Sequence, residues 1–428
     1  MNIPLDRLYY YIESVAEQIR GDRVIIYRFY PHGSKNINDL NNLRDFEKDS
    51  DLPVWVKKAI FPSIWCNDQE PLDYEYYSNN LRPVKISPVS REPKNLNYIR
   101  GVFEKSLLLH SEQRSKNLDK YQADNELISV YYWSHAVIAR DWFRYAEHVI
   151  QKKKINKKFL IYSRAWSGTR EYRLRFAELL VLTDLYQDCH TTINPIEPEL
   201  DIHYNKHQFC NPNWRPQIVL ENYFPGSDAH SSYSADFDIE DYEATDIEVV
   251  LETLFDDDRL QLTEKSLRPI ACGQPFILVG THGSLEYLRS YGFKTFADIW
   301  DESYDLIIDP QLRLHAVTDV MRWISTWSAE IREKKMTQAQ AIAEYNRKHF
   351  FSQEFFDQVV NELKTNLKSA FDELNQCNNY KSWISRWEPQ INDPCVLEYL
   401  EKVQDDPTYP SLARIKFVLD LARCHLQS

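Results

Sequence analysis

Three segments of the chain carry side chains suited to holding an anionic ligand and taking a proton from a hydroxyl. The first runs from Glu252-Thr253 to Thr263-Glu264-Lys265 and supplies two carboxylates, hydroxyls and a cation. The second is Ser163-Arg164-Ala165-Trp166-Ser167-Gly168-Thr169-Arg170-Glu171-Tyr172. Its small residues let backbone N–H groups approach an anion, where a helix N-terminus favours negative charge. Arg170 adds a guanidinium fork for a diphosphate oxygen; its plainer reading is a surface arginine in a helix's first turn. The third, Asn67-Asp68-Gln69-Glu70-Pro71-Leu72-Asp73-Tyr74, offers Glu70 first and Asp68 second as a carboxylate able to act as general base. For Asp68, capping the turn before Pro71 is an equal alternative.

Three further groupings invite a metal or a phosphate. Asp256-Asp257-Asp258 contains Asp-x-Asp, but it lies in the loop between Glu252 and Thr263 and reads as a solvated turn. His203, His207 and Cys210 have helical metal-ligand spacing, yet their surroundings have no helical periodicity, so the trio reads as structural. Gly280-Thr281-His282-Gly283 suits either a phosphate cradle or a tight turn between strand and helix. No metal site is expected.

The elements that position these residues follow from hydrophobic patterning. Pro4 to Arg20 has an apolar helical face ended by Gly21-Asp22. Val24 to Tyr30, Ser63 to Cys66, Ser106 to Leu109 and Leu127 to Trp133 read as strands, and Ser134 to Ile150 as a helix capped by Ser134. Gln151 to Lys158 is lysine-rich and reads as a solvated junction. Alternation then restarts: strand Lys158 to Ser163, helix Arg170 to Leu182, strand Asp246 to Glu252, helix Thr263 to Cys272, strand Pro275 to Gly280, and helix Ser284 to Tyr291 closed by Gly292. His203 to Ala244 is irregular, and only helices follow Pro310. Strand–helix alternation predicts an α/β fold with parallel sheets. Such sheets bind nucleotides at the carboxyl ends of their strands.

At 428 residues, two domains are expected, with boundaries at 1–152 and 153–325 and a helical region over 326–428. The formal net charge of −13 opposes a broad nucleic-acid footprint, because phosphate neutralisation needs clustered Lys and Arg. It leaves room for a local basic cleft. No apolar run is long enough to span a membrane, the first residues do not resemble a signal peptide, and the 7 cysteines lack a paired pattern. A cytoplasmic location with reduced thiols is expected. The 27 tyrosines and 11 tryptophans suit sugar stacking, although core filling explains most of them.

The order of strand, Ser163 to Arg170, then Glu252-Thr253, a loop, and Thr263-Glu264-Lys265 opening a helix resembles the α1,3-fucosyltransferase family. The resemblance covers roughly 158–305. It implies two Rossmann-like domains facing a cleft (the GT-B arrangement), a metal-independent transfer and no cofactor beyond a nucleotide-sugar substrate. Among donors it favours a GDP-sugar. By the same resemblance, Arg170 and Lys265 hold the diphosphate, with Gly168, Thr253 and Thr263 in the donor site. Glu252 and Glu264 contact the sugar or ribose, and an acidic residue near Pro71 is the base. Thr253 departs from the family's Asn. The chain also looks like phage-type glycosyltransferase-like proteins in Thr263-Glu264-Lys265 to Pro269-Ile270, Gly273-Gln274-Pro275-Phe276, and Gly283-Ser284-Leu285-Glu286-Tyr287-Leu288-Arg289. The expected activity is inverting transfer of a sugar to a carbohydrate or other hydroxyl acceptor. The competing readings are a DNA-base-modifying glycosyltransferase and a non-catalytic carbohydrate-binding protein.

Overall fold

The computed structural model describes residues 2–21, 24–28, 63–69, 71, 106–119, 128–144, 155–198, 200–224, 226, 237–256 and 258–376. The chain divides into two compact units. One comprises Met1–Ile3, Glu112–Ser115 and His135–Val359; the other comprises Pro4–Ser111, Lys116–Ser134 and Val360–Ser428. Residues after 326 therefore fall in both units.

In the unit that begins at Pro4, helix α1 (Leu8–Arg20) buries Leu8, Ile12, Val15 and Ala16 and ends at Gly21, whose left-handed φ of 74° a side chain would resist. The strands β1 (Ile25–Arg28), β2 (Ser63–Asn67), β3 (Ser106–His110) and β4 (Ile128–Tyr131) form a parallel sheet in that order. Leu107, Leu108 and Leu109 are buried on both faces of β3, as a parallel sheet covered on both sides requires. Helix α2 (Ser134–Trp142) follows in sequence and, from His135 on, belongs to the other unit; the expected extension to Ile150 runs into residues outside the described set.

The second sheet is also parallel, in the order Phe276–Val279, Thr245–Leu251, Lys157–Ile161, Cys189–Thr191. β5 (Lys157–Ile161) leads through a single 3-10 turn, Gly168–Arg170, into α3 (Tyr172–Leu182), so the helix begins two residues later than expected. β6 (Cys189–Thr191), a short antiparallel pair β7 (Ile196–Glu197) and β8 (Ile202–His203), and α4 (Ile239–Ala244) come next. β9 (Thr245–Leu251), α5 (Glu264–Cys272), β10 (Phe276–Val279) and α6 (Ser284–Ser290) then complete the expected strand–loop–helix–strand–helix run. β9 and β10 lie in register, Glu248 beside Phe276 and Leu251 beside Val279.

Three helices end the described chain: α7 (Pro310–Ser325), α8 (Ala329–Phe351) and α9 (Gln353–Gln376). The side chain of Asn346 on α8 receives the N–H of Lys294 and donates to its carbonyl, each at 2.8 Å. Gln340 donates to Gly273 O at 2.8 Å. The end of α8 is closed by Arg140, which donates to the carbonyls of Phe350, Phe351 and Ser352 and lies over the Phe356 ring. A buried cation there complements the negative end of the helix dipole. No described helix is long and apolar enough to cross a membrane.

Candidate functional site

At the carboxyl end of β9, Glu252 is completely buried and its carboxylate accepts from five donors. Thr263 N lies at 3.0 Å and Ser266 N at 3.3 Å from Oε1, which the Ser266 hydroxyl also reaches. Thr253 N at 3.0 Å and the Thr263 hydroxyl at 2.8 Å hold Oε2. Thr263 also N-caps α5 by accepting from Lys265 N. A carboxylate so placed meets the unsatisfied N–H groups of the first helical turn, which would otherwise be free for an anion. The geometry thus makes Glu252 the clasp of the 252–266 loop.

Beyond the clasp, the Lys265 ammonium lies 2.6 Å from Glu264 Oε1, and His135 Nε2 is 3.5 Å from Glu264 Oε2. Glu264 and His135 are buried, whereas the Lys265 side chain keeps 15% of its exposure. The loop after β5 adjoins this edge. Arg173 donates to the carbonyls of Ala165 (2.6 Å), Leu251 (2.6 Å) and Glu252 (3.1 Å), and the Tyr172 hydroxyl to Glu252 O at 2.7 Å. Arg170, two residues before Tyr172, is half-buried and its Nε donates to Ser167 O. Gly168 is exposed with φ +63°. The structure thus brings Gly168, Arg170, Glu252, Thr253, Thr263, Glu264 and Lys265 to the carboxyl edge of one parallel sheet.

The backbone amides proposed to receive a phosphate are committed elsewhere. Trp166 N (2.6 Å) and Ser167 N (3.0 Å) donate to Oε2 of Glu197, a fully buried carboxylate on β7. The loop is an anion cradle, as its small residues suggest, but its anion belongs to the protein. Further along the edge, Arg313 lies 4.4 Å from the centre of the Phe255 ring and donates to the carbonyls of Phe255, Gly280, Ile307 and Ile308. Burial pulls its pKa down to about 10. Phe255 stacks on Tyr172 at 4.2 Å. This layer fills the immediate ends of β9 and β10, so a ligand must lie outside it.

In the other unit, Asp68 is completely buried at the carboxyl end of β2. It accepts from the hydroxyls of Tyr9 (2.9 Å) and Tyr132 (2.5 Å), and Gln69 donates to Tyr9 at 2.6 Å. Burial first, then the Asp68 charge, pushes both phenols well above their ordinary pKa, so they remain donors. Glu70 lies outside the described residues.

The metal-like groupings are taken apart. His203 pairs with Glu221 at 2.5 Å, while His207 pairs with Glu171 at 2.8 Å and Cys210 N donates to the same Glu171 oxygen. Asp256 accepts from the Trp214 indole at 2.8 Å, and Asp257 lies outside the described residues. Among the described residues, no group of three or more His, Cys, Asp or Glu could hold a metal ion. Gly280 to Gly283 is a tight turn. Gly283 has φ +80°, and Arg114 donates to His282 O at 2.6 Å and lies 2.8 Å from its Nε2. Burial, then the charges of Arg114 and Arg313, lowers the His282 pKa below its ordinary value.

Sequence reasoning missed His135, Arg114, Glu197, Arg173 and Arg313. Each reaches its partner across a long sequence gap, and only the packed sheet shows the contact. Glu171 had been read only as part of the Arg170 segment.

No protein-family model matches the chain. No curated protein matches it at significance. Among solved structures it is similar to a crystal structure of the DNA modifying enzyme β-glucosyltransferase, described in the presence and absence of uridine diphosphoglucose. Identity is 13% and the TM-score 0.36, over 79% of this chain and 82% of that one. A likeness that distant assigns neither fold family nor activity.

Proposed function

We propose that the protein is a glycosyltransferase, moving a sugar from a nucleotide-sugar donor to an acceptor hydroxyl without a metal ion. The observation that carries this reading is the state of Lys265. It is a partly exposed ammonium in the first turn of α5, at the carboxyl edge of a parallel sheet, on a loop fixed by the buried Glu252 clasp. A cation held there at the outset needs little reorganisation to meet a diphosphate leaving group. The ordered recurrence of Ser163 to Arg170, Glu252 and Thr263-Glu264-Lys265, which resembles fucosyltransferases, supports the same reading.

In this proposal Lys265 and Arg170 meet the diphosphate, and Glu264, oriented by His135, fixes the ammonium and faces the ribose or sugar. Glu252, Thr253 and Thr263 act chiefly by holding the loop. Gly168 allows close approach at the second loop. Glu70 is the base, with Asp68 the second choice. A GDP-sugar is the favoured donor.

The test is to measure nucleotide-sugar binding by calorimetry in Lys265→Ala and Arg170→Ala. Each loses a charge-assisted contact worth roughly 1.5–3 kcal/mol. Affinity should fall correspondingly while the circular dichroism spectrum and melting temperature stay near wild type. Wild-type affinity and turnover in both variants would remove the donor-site assignment.

A further inference from the structure

Gln261 is buried, with 2% of its surface exposed, and neither its amide oxygen nor its amide nitrogen has a hydrogen-bond partner. Thr281 is equally buried, and its hydroxyl also lacks a partner. Unsatisfied groups of this kind are rare in folded proteins and call for an explanation. Leucine or methionine would fill the Gln261 site at lower cost to the fold.

The two residues belong to one closed ring of contacts. Leu260 pairs with Gln113 through an antiparallel bridge of 2.9 and 3.0 Å. The guanidinium of the next residue, Arg114, reaches both the ring nitrogen and the backbone carbonyl of His282. On the other side, Thr263 donates to Glu252, whose Cβ lies 3.6 Å from the position a Cβ on Gly280 would take. Gln261 therefore sits on the limb from Leu260 to Thr263, and Thr281 on the limb from Gly280 to His282. Arg114 is exposed, holds a left-handed φ of 55° and presents a planar guanidinium beside the His282 ring. Such backbone strain persists where surrounding contacts impose it.

We propose that this ring is the base-recognition subsite of the donor nucleotide, with the Gln261 amide pairing to a nucleobase edge that offers one donor beside one acceptor. A carboxamide presents that complementary pair in one plane, as in its bidentate contacts with adenine. The Thr281 hydroxyl supplies a third contact, and the Arg114–His282 pair is the planar cover that opens to admit the base. The Gln261 amide is itself nearly inaccessible to water, so little solvent competes with the pairing. The inference rests on the nucleotide-sugar reading above and extends it to the base.

The test compares binding of GDP, UDP, ADP, CDP and inorganic pyrophosphate to wild type, Gln261→Leu, Thr281→Val and Lys265→Ala. Wild type should prefer one base. Gln261→Leu should lose about tenfold or more for that nucleotide, flatten the preference and leave pyrophosphate binding unchanged. It should also melt at a higher temperature without ligand, because an unpaired buried amide is gone. Thr281→Val should give a smaller loss of the same kind, which guards against a folding defect in the first variant. Lys265→Ala should weaken every ligand, pyrophosphate included. If Gln261→Leu and Thr281→Val keep the full base preference, the subsite is refuted while the donor reading survives. If wild type binds none of the five, the glycosyltransferase reading itself fails.

Discussion

Replacing Glu252 separates a structural clasp from a ligand contact. Glu252→Ala removes the acceptor for Thr253 N, Thr263 N, Ser266 N and two hydroxyls, all at the end of β9. Bonds to an ionised group are each worth about 1.5–3 kcal/mol, but they share one carboxylate and do not add. Removing one partner of a buried charged network costs about 3–5 kcal/mol. Glu252→Gln keeps the Oε1 contacts and sets an NH2 group against the Thr253 N–H, at about 1–3 kcal/mol. Amide hydrogen exchange, resolved on peptides spanning 252–267, reads the effect locally, since the amides that lose their acceptor report the opening of that loop. At 1.36 kcal/mol per tenfold, the alanine variant should accelerate exchange at Thr263 and Ser266 by roughly 10²–10⁴, and the glutamine variant by roughly 5- to 150-fold. Acceleration below about fivefold in Glu252→Ala would refute the clasp. Weakened donor binding with unchanged exchange in Glu252→Gln would return Glu252 to direct contact with the sugar or ribose.

Three further outcomes follow from the site. Glu70→Gln should lower turnover ~10²–10⁴-fold with nucleotide affinity unchanged; abolished turnover in a folded Asp68→Asn with Glu70→Gln fully active would move the base to Asp68. Turnover should persist in EDTA, whereas loss restored by Mg²⁺ or Mn²⁺ would direct attention to Asp256-Asp257-Asp258. Asp305, which accepts from Leu285 N at 3.0 Å, is pushed by burial from 3.8 up to about 6. Its folded form holds the proton more tightly than the unfolded chain. Its contribution is therefore complete below pH 3.8 and is lost as pH rises through about 6. The gap is worth at most about 3 kcal/mol. Asp305→Asn should remove that slope from denaturation midpoints between pH 4 and 7, and an identical slope in the variant would contradict it.

The alternation of strands and helices was legible because β3 and β10 are buried on both faces and read as apolar runs, and β9 ends in one, Val249-Val250-Leu251. The clasp was half legible. Thr263 ahead of Glu264 and Lys265 announces a cap, but nothing in the sequence says that Glu252 supplies the capping carboxylate from the preceding strand. The segment holding Trp166 and Ser167 was read as a place for a ligand's anion, whereas their amides meet Glu197, invisible in the sequence because β7 reaches them by tertiary packing. The spacing of His203, His207 and Cys210 matches a metal site but they read as structural, and His203 pairs with Glu221 while His207 and the Cys210 amide share Glu171. Asp68 was weighed as a base or a turn cap, and its carboxylate is held by phenols 59 and 64 residues away in sequence, which no local pattern announces.

The interleaving of the two units has a consequence for biosynthesis. Asn366 on α9 donates to Tyr131 O at 2.7 Å, and Arg20 lies 6.0 Å from the centre of the Phe371 ring. The first-made sheet therefore receives its closing helix only after the intervening residues 135–359 have left the ribosome. At ~5–20 residues per second, that delay is roughly 10–45 s. Through that interval the nascent α1 and β1–β4 expose a surface that α9 will later cover, while the 135–359 segment can complete its own sheet. Truncation before α9 should accordingly leave the N-terminal strands as the part that engages chaperones.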